Sequence, residues 1–324
     1  MKSLRVSPTT AILLVLIGAA GGYWIGCGTT SSVSSWHEER EAEQHYQYIN
    51  PLLSCDGAEL SNTSSETLRT LRTKLQGIVG AAYKEGAVTR SAIYIRELNG
   101  GVWLGINERE EFTPGSLLKV PAVMSLYRYA EERDPSILTR EFEFGGGDVG
   151  AAQQYAPGES LTPGTIYSMA NLVERALRYS DNNAATLIAQ SIDTAYLLGA
   201  YRDLGFIAPT LGQDYLIRVK DYAAFFRLLY NATYIDRDES EQVLGLLAQS
   251  TFKKGIVAGV PTGTVVAHKF GERETGGGLQ QLHDCGIVYA KNPYIICVLS
   301  QGKDFAALES FIARVSAAAY EGLR

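Results

Sequence analysis

Ser116-Leu117-Leu118-Lys119 follows Thr113-Pro114-Gly115 at the start of an apolar-periodic segment. A spacing of three places both side chains on one helical face. There the lysine amine can take the serine proton if its pKa is lowered. A helix N-terminus also offers free N–H groups and the positive end of the peptide dipoles to an oxyanion forming at that serine. Taken alone, the pattern equally describes an N-capping serine and a solvated lysine. Two further groups change the weight. Ser180-Asp181-Asn182 stands at a break between two helical stripes, where Asp181 could simply cap the second helix. His268-Lys269-Phe270-Gly271 lies on an expected strand, where Lys269 could simply face solvent.

These residues need particular elements to hold them. Leu68, Leu71, Leu75, Ile78, Val79 and Ala82 recur at helical spacing after the capping-box pattern Thr63-Ser64-Ser65-Glu66. Residues 91–98 and 102–106 flank Asn99-Gly100-Gly101 and predict a β-hairpin. From Ser116 to about Gln249 the period is helical. Leu172, Val173, Ala176 and Leu177 form one core stripe, and Tyr222, Phe225, Phe226, Leu228 and Leu229 another. Strands are expected again over 264–270, 285–290 and 294–300, then a helix capped by Asp304. Segregated elements in this order predict an α+β fold. An antiparallel five-stranded sheet is covered by N- and C-terminal helices, with an all-helical lobe, about 113–250, inserted between the second and third strands.

In order and context the three groups resemble the signatures Ser-x-x-Lys, Ser-Asp-Asn and Lys-Thr-Gly of class A β-lactamases and penicillin-binding D-alanyl peptidases. The likeness covers roughly residues 88–320. It implies Ser116 as nucleophile, Lys119 as its proton acceptor, Ser180 as relay to the leaving nitrogen, Asn182 as a binder of the substrate amide, and Lys269 as a source of positive charge. It also implies an oxyanion hole made by the backbone N–H groups of Ser116 and Glu272. No cofactor or metal is implied.

Two departures qualify the resemblance. The third group reads Lys-Phe-Gly, so Phe270 brings no hydroxyl where the family holds a substrate carboxylate; Arg273 or Thr275 are the candidate substitutes. The family's deacylating glutamate is also missing, because no Glu occurs between Glu174 and Glu239. Asp203 and Asp214 are the nearest carboxylates, and neither sits in a matching motif. The implied activity is a serine hydrolase forming an acyl-enzyme with β-lactams or D-alanyl cell-wall peptides, with slow deacylation of β-lactams. The competing reading is an idle wall-binding protein that keeps the fold.

His268 should point away from Lys269, as successive strand residues do. His283-Asp284 invites a Ser-His-Asp triad, but no Gly-x-Ser-x-Gly elbow completes one. Cys285 and Cys297 are expected on neighbouring strands, offset from one another, so a bond between them is not anticipated.

The bulk composition sets the remaining bounds. With 46% hydrophobic and 20% charged residues the 324-residue chain can bury a large core, and its net charge of −6 argues against nucleic acid as a partner. Lys2 and Arg5 precede a charge-free run to Trp36 holding the apolar stretch 11–25, an export pattern. Cleavage near 19–22, acylation of Cys27 and an uncleaved signal anchor compete, and the length of residues 9–28 favours the anchor. The expected plan is a signal segment at 1–28, a polar stalk at 29–60 and an acidic extracytoplasmic hydrolase domain at 61–324.

Overall fold

The computed structural model describes residues 46–50, 62–147, 153–155, 158, 160–210 and 214–323. The expected signal segment and most of the stalk lie outside them. Among the described residues no helix is long and apolar enough to cross a membrane.

Helix α1 (Asn62–Lys84) leads into strands β1 (Arg90–Glu97), β2 (Trp103–Ile106) and the short β3 (Glu111–Phe112). A 3-10 turn, Gly115–Leu118, runs straight into α2 (Lys119–Glu132). Two short strands follow, β4 (Glu141–Glu143) and β5 (Ile166–Ser168), then helices α3 (Met169–Arg178), α4 (Asn182–Ser191), α5 (Thr194–Leu197) and α6 (Gly199–Asp203). After β6 (Ile217–Arg218) come α7 (Val219–Tyr230) and α8 (Arg237–Ala248). The chain closes with β7 (Val266–Thr275), β8 (Leu279–Val288), β9 (Tyr294–Gly302) and α9 (Phe305–Leu323). The expected α+β architecture is present: a five-stranded antiparallel sheet in the order β2-β1-β9-β8-β7.

Alternation along the strands divides the core in two. Ala267, Cys285, Ile287, Ile295, Cys297 and Leu299 pack toward the helical lobe. Val266, Phe270, Leu282, Val288, Ile296 and Val298 pack with apolar residues of α1 and α9. Both expected stripes are buried, except that Leu228 is partly exposed. Asp304 caps α9 through Ala306 N–H at 2.9 Å.

Three features depart from the sequence reading. First, β7 runs on past residue 270 and β8 begins before residue 285, forming a long hairpin that turns at Gly276-Gly277-Gly278, where Gly277 and Gly278 adopt φ of 78° and 73°. Second, Cys285 and Cys297 stand directly opposite one another, Cα atoms 4.0 Å apart, and form a disulfide. The offset expected for them assumed that β8 runs to Ala290. Instead the β8–β9 ladder ends with Val288 opposite Tyr294, so the connection spans 289–293 rather than 291–293 and the register shifts by two. Third, residues 46–50 of the expected stalk lie against the lobe. The successive N–H groups of Gln47, Tyr48 and Ile49 converge on the Glu241 carboxylate at 2.5, 2.7 and 2.9 Å, and Ile49 is buried in the core.

Candidate active site

The site lies where the turn before α2 meets β7, the edge strand of the sheet. Two glycines permit that approach. Gly115 has φ of 55°, and a Cβ there would fall 2.5 Å from Glu272 O and 3.3 Å from Glu272 N. A Cβ on Gly271 would fall 2.4 Å from Pro114 O. Behind the turn, the fully buried Tyr222 donates to Leu117 O at 2.9 Å. The Glu272 main chain therefore stands against the residue preceding Ser116.

Ser116 caps no helix. Its Oγ lies 2.9 Å from Lys119 Nζ. That amine also contacts Asn182 Oδ1 at 2.7 Å, Ser180 Oγ at 3.2 Å, and Ser180 O. Carbonyl oxygens can only accept, so Ser180 O and Asn182 Oδ1 take the two N–H groups of a neutral amine. Its lone pair is then left for a hydroxyl. Burial brings Lys119 down to about 7, opposed by the charges of Asp181 and Glu272.

Ser180 is fully buried, and its Oγ bridges the two amines, 3.2 Å from Lys119 Nζ and 2.7 Å from Lys269 Nζ. It holds a left-handed φ of 61°, which costs a non-glycine residue on the order of 1 kcal/mol. The surroundings enforce that conformation. Asp181, also buried, accepts from Asn183 N at 2.7 Å, Ala184 N at 3.2 Å and Leu161 N at 3.1 Å, which caps α4 and fixes the break before it. Asn182 is the first residue of that helix.

Lys269 reaches the site from β7, fully buried, and gives a second hydrogen bond to Phe270 O at 2.9 Å. Burial, reinforced by Lys119, lowers its pKa well below that of a free lysine. Ser116, Lys119, Ser180, Asn182 and Lys269 thus form one connected network.

The other candidates lie elsewhere or act differently. The Glu272 carboxylate accepts from the N–H groups of Gln154 and Tyr155 at 3.0 and 3.1 Å; burial raises its pKa, and those bonds with the two lysines oppose the rise. Arg273 pairs with Asp214 at 2.7 Å, and Thr275 Oγ1 donates to Leu279 O at 2.9 Å. Asp203 accepts from Tyr234 OH at 3.2 Å. His268 faces away from Lys269, its Nδ1 2.7 Å from Asp284 Oδ1. His283 is held neutral, since burial lowers it to about 4, and its Nε2 contacts Thr113 O. No triad forms.

Two contributors escaped the sequence reading. Gln153 Nε2 donates to Ser180 O at 3.3 Å, and Tyr155 packs its ring edge-on to Phe270 at 5.7 Å. Neither sits in a motif, and only the fold brings them in. Glu131, Asp236 and Glu239 converge at the start of α8, where Asp236 caps the helix, and they are no part of this network.

A search of curated proteins finds no match to the sequence. Among solved structures the chain is similar to a beta-lactamase from Chitinophaga pinensis DSM 2588, with 19% identity, a TM-score of 0.66, and 79% of this chain and 100% of that one covered. It is also similar to a class A beta-lactamase from Mycobacterium abscessus (22%, TM-score 0.65, 76% and 98%) and to a mutant of PBP-A in an acyl-enzyme complex with penicillin-G (18%, TM-score 0.63, 78% and 96%). At these identities the likeness is one of fold. A family model described as the beta-lactamase enzyme family matches residues 70–323, and the chain belongs to that family of serine hydrolases.

Proposed function

We propose that Ser116 is the nucleophile of an acyl-enzyme reaction on β-lactams or D-alanyl cell-wall peptides, with slow release of the β-lactam acyl group. The observation that carries this reading is the 2.9 Å contact between Ser116 Oγ and a buried Lys119 amine lowered to about 7. Such an amine is a competent base near neutrality.

Lys119 takes the Ser116 proton as Oγ attacks the carbonyl carbon. Negative charge on the carbonyl oxygen is met by the N–H groups of Ser116 and Glu272. Ser180 gives its proton to the leaving nitrogen and is reprotonated by the Lys119 ammonium, so the C–N bond breaks, an ester remains on Ser116, and Lys119 ends neutral. The penicillin-G acyl-enzyme of PBP-A supports the reading, since that protein shares this fold.

The test is intact-mass measurement of the protein after incubation with a β-lactam. We expect the mass to rise by that of the β-lactam, and Ser116→Ala to abolish the rise. An unmodified wild type would leave the idle wall-binding alternative standing. We further propose an extracytoplasmic protein held by an uncleaved N-terminal signal anchor, on the pattern of Lys2 and Arg5 before an uncharged stretch. Sequencing of the mature N-terminus should then return Met1. A start near Gly21 or an acylated Cys27 would refute the anchor.

A further inference from the structure

Among the described residues, the basic side chains near this cleft already have hydrogen-bond or ion-pair partners. Lys269 spends its amine on Ser180 Oγ and Phe270 O, and the Phe270 ring covers it with Nζ 4.3 Å from the centroid. Lys119 is surrounded by two carbonyl and two hydroxyl oxygens. Arg273, the next cation along β7, is paired with Asp214. The half-buried carboxylate of Glu272 adds negative charge beside these groups.

The ring over Lys269 is also fixed in place. Phe270 stacks on Phe252 with centroids 4.4 Å apart, and Tyr155 stands edge-on to Phe252 at 5.0 Å, to Phe270 at 5.7 Å and to Phe305 at 5.8 Å. Phe270 and Phe252 are each at most 5% exposed. A guest carboxylate seeking Lys269 would have to displace a ring from this cluster. It would then sit near Glu272, having given up its water at a lysine whose amine is already bonded to Ser180 Oγ and Phe270 O. Stripping a carboxylate of water without compensation is strongly unfavourable. An uncharged group at the same place meets no such penalty and gains contact with the exposed part of Tyr155.

We propose that the acyl donor preferred by Ser116 carries no carboxylate beside its scissile amide, and that Phe270 sets this preference. The substrate class is an amide with an uncharged, apolar flank on that side, such as a bond within a peptide or next to an amidated or esterified end. The proposal deepens the acyl-enzyme reading and rests on it. A β-lactam acid is on this view a probe that the site tolerates, and its neutral ester is the better donor.

The decisive comparison is the rate at which the purified full chain acquires a Ser116 adduct from benzylpenicillin and from its methyl ester, followed by intact mass. The ester should acylate roughly tenfold faster than the acid. Phe270→Thr should move that ratio at least tenfold toward the acid, whereas Phe270→Leu, which keeps an apolar side chain, should retain the ester preference. The wild-type ratio needs no variant to fold. Acylation tenfold faster by the acid overturns this inference and leaves the acyl-enzyme reading intact. Acylation by neither compound overturns both.

Discussion

Replacing Lys119 by Met should lower the rate at which a β-lactam acylates Ser116 by roughly a hundredfold to ten-thousandfold, the span a positioned general base contributes. The side chain is nearly isosteric and Lys119 is buried, so the folded state should survive the change. The wild-type rate should climb as pH rises through about 7 and then level off, because only the neutral amine accepts a proton and burial sets that value for Lys119. Lys119→Met should lose this rise. Lys119→Arg should be as slow, since a guanidinium stays protonated across the whole range. Stopped-flow acylation against pH decides the matter. A Met variant within threefold of wild type, with the pH profile unchanged, would remove Lys119 from the mechanism.

The second large effect is in time. Once formed, the β-lactam adduct on Ser116 should persist, because hydrolysis of the ester needs a second base to activate water. A site without one forfeits a factor of roughly a hundred to ten thousand. Neither candidate carboxylate is bonded into the Ser116 network: Asp203 accepts from Tyr234 OH, and Asp214 pairs with Arg273. Asp203→Asn and Asp214→Asn should therefore leave the adduct lifetime unchanged when excess β-lactam is removed and the mass followed. Rapid turnover of a cephalosporin with no detectable adduct in the wild type, and an adduct appearing in either aspartate variant, would identify the base and defeat the argument.

The groups of the candidate site are legible in the sequence because each is tied to a local pattern. A three-residue spacing, a helix break with an acidic cap and a lysine on a strand can all be read within a few neighbours, and Ser116, Lys119, Ser180, Asn182 and Lys269 do converge. What cannot be read depends on register and long-range approach. The offset expected between Cys285 and Cys297 fails because the β8–β9 connection spans 289–293 rather than 291–293, a loop length that no local residue pattern marks. Residues 271–275 carry Glu, Arg and Glu in succession and lack the alternation of a half-buried strand, since that end of the β7–β8 hairpin is largely solvated. The role of Tyr222 as a prop for the nucleophile's turn is hidden inside an apolar stripe whose other members only fill space. Phe270 reads in the sequence as a missing hydroxyl; that it also covers Lys269 follows only from the folded arrangement.

The two buried amines also leave a mark on the heat of unfolding. From about pH 8, where Lys119 is already neutral in the folded chain, to about 9.5, where free lysines are still charged, unfolding returns both side chains to water and lets them bind protons. The unfolded state holds more protons there, so these two groups make the folded state gain stability as pH rises across that interval. The protons must come from the buffer. A calorimeter would therefore record an unfolding enthalpy that includes the buffer's own heat of ionisation, and an amine buffer and a phosphate buffer would return different values for the same molecule.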